Sequence, residues 1–112
     1  MDKIEEFTYN NRLLEKYGKL LTETQVRITE QYYCYNLSLA EIAENENISR
    51  TAVSDCLKNA VRKLKEFEEK LNLLKIDDAL IEQINKTKEK LTTEELEKLE
   101  RMIKDGIWIL NW

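Results

Sequence analysis

Residues 38 to 57 read SLAEIAENENISRTAVSDCL, and the order of residue types in this stretch leaves the backbone few choices. Ser38 stands before Leu39 with Glu41 three residues on, a capping box in which hydroxyl and carboxylate satisfy exposed backbone amides and start a helix. Ile42 and Ala43 fall on the inner side of that helix. Ala43 is the small residue that a close helix crossing needs. Asn47 comes where the chain must turn through a left-handed conformation, which asparagine tolerates better than any residue but glycine. Ile48 is expected to plug the junction. Ser49 caps a second helix that enters through Arg50, Thr51 and Ala52 and points Val53 and Leu57 back to the core. Small residue, turn residue, plug and cap in this order predict a helix-turn-helix.

The rest of the chain is equally helix-prone. It contains no proline and only two glycines, Gly18 and Gly106, amid abundant Glu, Lys and Leu, so an all-α class follows. Apolar spacing predicts a first helix from Lys3 to Tyr17, with Ile4, Phe7, Leu13, Leu14 and Tyr17 on one broad face and Gly18 at its end. Thr22 caps a second helix from Glu23 to about Tyr35 that presents Val26, Ile28, Tyr32, Tyr33 and Tyr35. Its tyrosines are expected at core and rim rather than as a platform for stacked bases. After Ser49, the residues Val53, Leu57, Ala60, Leu64, Phe67, Leu71 and Leu74 recur at spacings of four and three. This heptad seam predicts one helix to about Leu74, roughly 38 Å long at 1.5 Å per residue. Such a rod needs a cover, from helices of the same chain or from a second subunit in a homodimer. Further on, Asp77 or Asp78 can cap a helix carrying Leu80, Ile81 and Ile84. Thr92 with Glu95 caps another carrying Leu96, Leu99, Met102 and Ile103, ended by Gly106. The tail IWILNW is expected to be buried, since it would be adhesive if exposed. Residues 1–75 then form a helix-turn-helix core and 76–112 a helical extension packed on it, in a single domain.

Several function classes are disfavoured. Histidine is absent, which removes the side chain best suited to proton transfer and metal ligation near neutral pH. Cys34 and Cys56 stand alone without a CxxC, and no GxxxxGK[ST] or GxGxxG loop occurs. No enzyme activity, cofactor or metal is therefore expected. No apolar run approaches the roughly 18 to 20 residues of a membrane span, and the acidic start MDKIEEF is unlike a signal peptide. The expectation is a cytoplasmic protein without membrane insertion.

The 112 residues carry a formal charge of -4, an apparent obstacle to binding a polyanion. The charges are not spread evenly. Residues 22–48 hold five acids against Arg27 alone, whereas 49–65 hold five bases, Arg50, Lys58, Arg62, Lys63 and Lys65, against Asp55 alone. A local basic stripe can bind phosphates within a screening length of about 8 Å whatever the total charge. The candidate nucleic-acid-binding residues are Arg50, Thr51, Ser54, Asp55, Lys58 and Arg62, with Cys56 also expected to face the groove. Arg50 can grip a phosphate or a guanine edge, Asp55 can accept from a cytosine amino group, and Lys58 and Arg62 extend the basic track.

The segment from about Leu20 to Leu71 resembles the YlxM family of small bacterial proteins without gaps. The resemblance is carried by Leu20-Leu21-Thr22, Gln25, Tyr33, Ser38-Leu39, Glu41-Ile42-Ala43, Ser49-Arg50, Ala52-Val53 and Asp55. More distantly, EIAENENIS looks like the sigma-factor helix-turn-helix that reads a promoter element. It departs from that pattern at Glu46, where an apolar residue is usual, at Asn47 in place of the turn glycine, and at Ser54 and Cys56 where polar or basic base-contacting side chains are common. The resemblance implies an all-α, winged-helix-like or sigma region 4-like helix-turn-helix with an extended recognition helix and C-terminal helices. It also implies a regulatory role in the signal recognition particle pathway. Two functions follow: a regulator that binds DNA or the particle's RNA, or a non-enzymatic module that uses the motif as scaffold and binds the particle's GTPase through acidic surfaces.

Overall fold

The computed structural model describes residues 2–87 and 92–106. Among these, six α-helices and one short 3-10 turn occur, and no strand. The expected all-α class holds. In chain order the helices are α1 (Lys3–Tyr17), α2 (Glu23–Tyr33), α3 (Leu39–Glu46), α4 (Arg50–Leu71), α5 (Leu73–Lys86) and α6 (Thr93–Asp105), with the 3-10 turn Gly18–Leu20 after α1. The chain divides into two compact units, residues 1–71 and 72–112.

In the first unit, helix starts are set by local chemistry. The Asp2 carboxylate accepts from the Glu5 amide at 2.8 Å. Thr22 and Gln25 form one complete capping box, Ser38 and Glu41 another. The turns use asparagine in place of glycine. Asn36, Asn47 and Asn72 all have positive φ, at 56°, 56° and 55°, the left-handed region that costs other L-residues roughly 1–2 kcal/mol. The turn after α2 falls at the left-handed Asn36, but α2 itself stops at Tyr33, two residues short of the expected Tyr35, which is left 69% exposed.

The core of this unit is built from α1, α2, α3 and α4. Leu13, Leu14 and Tyr17 of α1 are buried, but Ile4, expected on the same face, is 79% exposed near the free end of the helix. Along α4 the buried line runs Val53, Leu57, Ala60, Leu64 and then Glu68. The last step is four residues rather than three, the drift of a straight helix of 3.6 residues per turn away from a heptad seam. Phe67 is consequently half-buried, its ring 6.0 Å from that of Tyr17, while the Glu68 carboxylate accepts from the buried Tyr17 hydroxyl. Leu71 is 48% exposed. The single helix expected to reach Leu74 is interrupted, because Asn72 takes the left-handed conformation and α5 starts afresh at Leu73.

In the second unit α5 packs with α6. Asp77 and Asp78 cap nothing there: both lie inside α5, which begins four residues earlier than Asp77. The expected start and stop of α6 are observed, with the Thr92 hydroxyl accepting from the Glu95 amide at 3.2 Å and Gly106 at φ 70°. The IWILNW tail, residues 107–112, lies outside the described residues.

Candidate nucleic-acid interface

The angle between α3 and α4 is held by backbone and packing together. Asn47 closes α3 with its amide donating to the Glu44 carbonyl at 3.3 Å, and the Ile48 amide donates to the Ala43 carbonyl at 3.0 Å, the paired bonds of a Schellman ending. The Ser49 hydroxyl then accepts from the Ala52 amide at 3.0 Å and starts α4. Behind the turn, Ile28, Ile42, Ala43, Val53 and Leu57 form one buried cluster with Tyr32, Leu37, Leu39 and Cys56 against it. Ala43 is 7% exposed at this crossing. Ile48 is not the plug: it is 40% exposed, and the partly buried side chains packed on the cluster are those of Tyr32, Leu37, Leu39 and Cys56.

A polar staple joins α2 to the end of α3. The Arg27 guanidinium forks onto Glu46, with Nε 2.9 Å from Oε1 and Nη2 2.8 Å from the same oxygen. Gln31 donates to Oε2 of Glu46 at 3.0 Å and accepts from Asn45 at 3.0 Å. The Arg27 hydrogen bond is the main cause that holds the Glu46 carboxyl below its ordinary range. This device was not foreseen from the sequence. Its signal was there, since Arg27 is the one base among the acids of residues 22–48.

Along α4, Thr51, Asp55, Lys58 and Arg62 recur at spacings of four, three and four, which puts them on one side of a helix, and all four are exposed, as is Arg50. Two expected groove-facing residues are elsewhere. Cys56 is half-buried against the cluster, where burial raises its thiol pKa. Ser54 is half-buried beside the exposed face. Of the cations, Arg62 pairs with Glu66 one turn on at 3.1 Å, and Lys65 lies 3.9 Å from Glu6. Among the described residues Arg50 and Lys58 make no ion pair, nor does Asp55. The first turn of α4 carries no acid, whereas α1, α2, α3 and α6 each open with glutamate, so the positive helix end adds to Arg50 instead of being offset. Two of the three acids of α3 are occupied, Glu41 in its cap and Glu46 in the staple.

A short helix and a long one locked at a left-handed asparagine turn, the second basic on its open side, define a helix-turn-helix protein. A family model described as "Putative helix-turn-helix protein, YlxM / p13 like" matches residues 4–105, and the chain belongs to this family, UPF0122. Among its relatives, UPF0122 protein FN1394 of Fusobacterium nucleatum is 38% identical over 96 residues, covering 86% of this chain and 93% of that protein. UPF0122 protein TTE1463 of Caldanaerobacter subterraneus is 42% identical over 85 residues, 76% of this chain and 73% of that protein. A UPF0122 protein of Desulforamulus reducens is 49% identical over 71 residues, 63% and 61% of the two chains. Among the described residues no helix is long and apolar enough to cross a membrane.

Proposed function

We propose that the protein is a nucleic-acid-binding regulator that presents α4 to DNA or to the signal recognition particle RNA, the latter being the partner that the family resemblance implies. The observation that carries this reading is the pair of uncommitted cations, Arg50 in the first turn of α4 and Lys58 two turns on, along an exposed face that also holds Thr51, Asp55 and Arg62. Arg62 is available despite its pair. An exposed i,i+4 ion pair is worth roughly 0.3–0.5 kcal/mol, less than the roughly 1.5–3 kcal/mol of a hydrogen bond to a charged group such as phosphate. Ser54 joins this face only at its edge. Three cations imply a modest affinity with a shallow salt dependence, on the order of one unit of log K per phosphate contact. Binding to the particle's GTPase through acidic surfaces is the weaker account, because Glu41 and Glu46 are already engaged within the fold.

The test is a titration of duplex DNA and of the particle RNA at several salt concentrations with Arg50→Glu, Lys58→Glu and Arg62→Glu variants. Each change should weaken binding and reduce the salt slope by about one unit per lost contact. Unchanged affinity and slope in all three variants would rule out α4 as the interface.

A further inference from the structure

The exposed side of α4 holds one acid among its cations. Asp55 falls between Arg50 and Lys58, with Thr51 one turn before it, and all four side chains are exposed. Lys58 stands three residues after Asp55, a spacing at which opposite charges on a helix meet, yet no ion pair joins them. Neither Thr51 nor Asp55 makes a side-chain hydrogen bond among the described residues, and the start of α4 is capped by Ser49 instead. The Asp55 carboxylate thus has no partner within the fold. On a face that binds phosphates it also opposes the ligand, unless the ligand brings a donor to it.

The spacing of the cations indicates where that donor lies. Eight residues separate Arg50 from Lys58, a rise of about 12 Å, close to the roughly 12 Å width of the major groove of B-form DNA. With these two cations at the phosphates on either side, Thr51 and Asp55 lie over the base edges. The major groove of an RNA helix is too deep and narrow for side chains to read. Single-stranded RNA is held by stacking on aromatic rings, and the exposed side of α4 has none. Phe67, the one aromatic residue of α4, lies against Tyr17, while Phe7, Tyr32 and Tyr33 pack on one another with ring centroids 4.8, 4.9 and 5.9 Å apart. Of the four base edges in a major groove, guanine presents the acceptors N7 and O6, thymine the acceptor O4, and adenine sets the acceptor N7 beside its N6 amine. Cytosine alone presents a donor, its N4 amine, without an acceptor on the same base.

We propose that Asp55 makes this interface selective for duplex DNA with cytosine at one position of the site, its carboxylate accepting from the N4 amine while Arg50 and Lys58 hold the flanking phosphates. The assignment rests on the nucleic-acid reading above. Over any other base the carboxylate meets acceptors that repel it, so Asp55 lowers affinity for random sequence as well as raising it for the right one.

The experiment is a binding selection by the full chain and by its Asp55→Ala and Asp55→Asn variants, from a pool of DNA duplexes with a randomised centre and from the same sequences as duplex and as single-stranded RNA. The parent chain should enrich DNA with cytosine fixed at one position. Asp55→Ala should lose that preference alone and bind the unselected DNA pool several-fold more tightly. Asp55→Asn should move the preference at that position towards adenine, whose N6 and N7 match an asparagine amide. In a selected duplex, replacing the cytosine by 2-pyrimidinone, which lacks the amine, should weaken the parent roughly tenfold and leave Asp55→Ala unaffected. Circular dichroism verifies that the variants keep the fold. A cytosine preference that survives in Asp55→Ala refutes the role of Asp55, as does salt-dependent binding of the DNA pool with no base enriched, and both leave the α4 interface standing. Enrichment from an RNA pool in place of the DNA pool refutes the duplex assignment. If no pool is retained at any salt concentration, the interface itself fails, and the selectivity of Asp55 with it.

Discussion

The turn at Asn47 can be tested by a substitution series that leaves every contact of the fold in place. Asn47 has φ 56° and ψ 44° and an exposed side chain, so replacing it removes no packing. The bonds that close the turn, from the amides of residues 47 and 48 to the carbonyls of Glu44 and Ala43, are backbone bonds that all variants keep. What changes is the strain of a Cβ in the left-handed region, roughly 1–2 kcal/mol for an ordinary L-residue and less for asparagine. Asn47→Ala should therefore cost about 1 kcal/mol. Asn47→Gly relieves the strain but loses more conformational freedom on folding, leaving a net change within about 0.5 kcal/mol of zero. Asn47→Val, with its branch at Cβ, should be the worst of the three. For a unit of this size 1 kcal/mol moves the midpoint by about 4–8 °C, well resolved by thermal melts followed by circular dichroism, with urea titrations to check that the m-value is constant. Equal midpoints for the alanine and glycine variants would show that the left-handed turn does not carry the strain assigned to it.

Two further outcomes follow from the packing of the motif. Ala43→Leu forces a larger side chain into a crossing where Ala43 is 7% exposed among Ile28, Ile42, Val53 and Leu57, and should destabilise by about 1–3 kcal/mol; an unchanged thermal midpoint would contradict close packing there. The Glu46 carboxyl is held below its ordinary value of 4.5, first by the Arg27 hydrogen bond, so it binds its proton less readily folded than unfolded. Its stabilisation is present above the unfolded pKa and is lost as pH falls through the lower folded one. Glu46→Gln should thus lower the melting midpoint at neutral pH and flatten its decline on acidification, and a melt-against-pH curve parallel to that of the parent chain would contradict the assignment.

What could be read from the sequence was what local chemistry decides. The bounds of α1, the capping box at Ser38, the Thr92 and Ser49 caps and the left-handed Asn47 all depend on residues within four positions of one another. The break after Leu71 escaped because apolar spacing continues through Leu71 and Leu74, and periodicity does not register one residue of opposite handedness. Asn72 was the available clue, in a chain that also turns at Asn36 and Asn47. The heptad seam failed at Phe67 for a related reason: the core of the first unit follows 3.6 residues per turn and brings Glu68 inward to Tyr17. Of the candidate interface, the exposure of Arg50, Thr51, Asp55, Lys58 and Arg62 agrees with helical spacing alone. The half-burial of Ser54 and Cys56 depends on flanking helices that spacing along one helix cannot represent.

The staple at the end of α3 constrains how this sequence can vary through descent. Arg27, Gln31, Asn45 and Glu46 are tied into one hydrogen-bonded set across two helices, so a lone change at Glu46 removes the carboxylate to which both Arg27 and Gln31 donate. Substitution should then come in company: relatives with an apolar residue at the Glu46 position are expected to have lost the arginine at the Arg27 position as well. Positions 19 residues apart should change as one inherited unit, whereas their exposed neighbours drift independently.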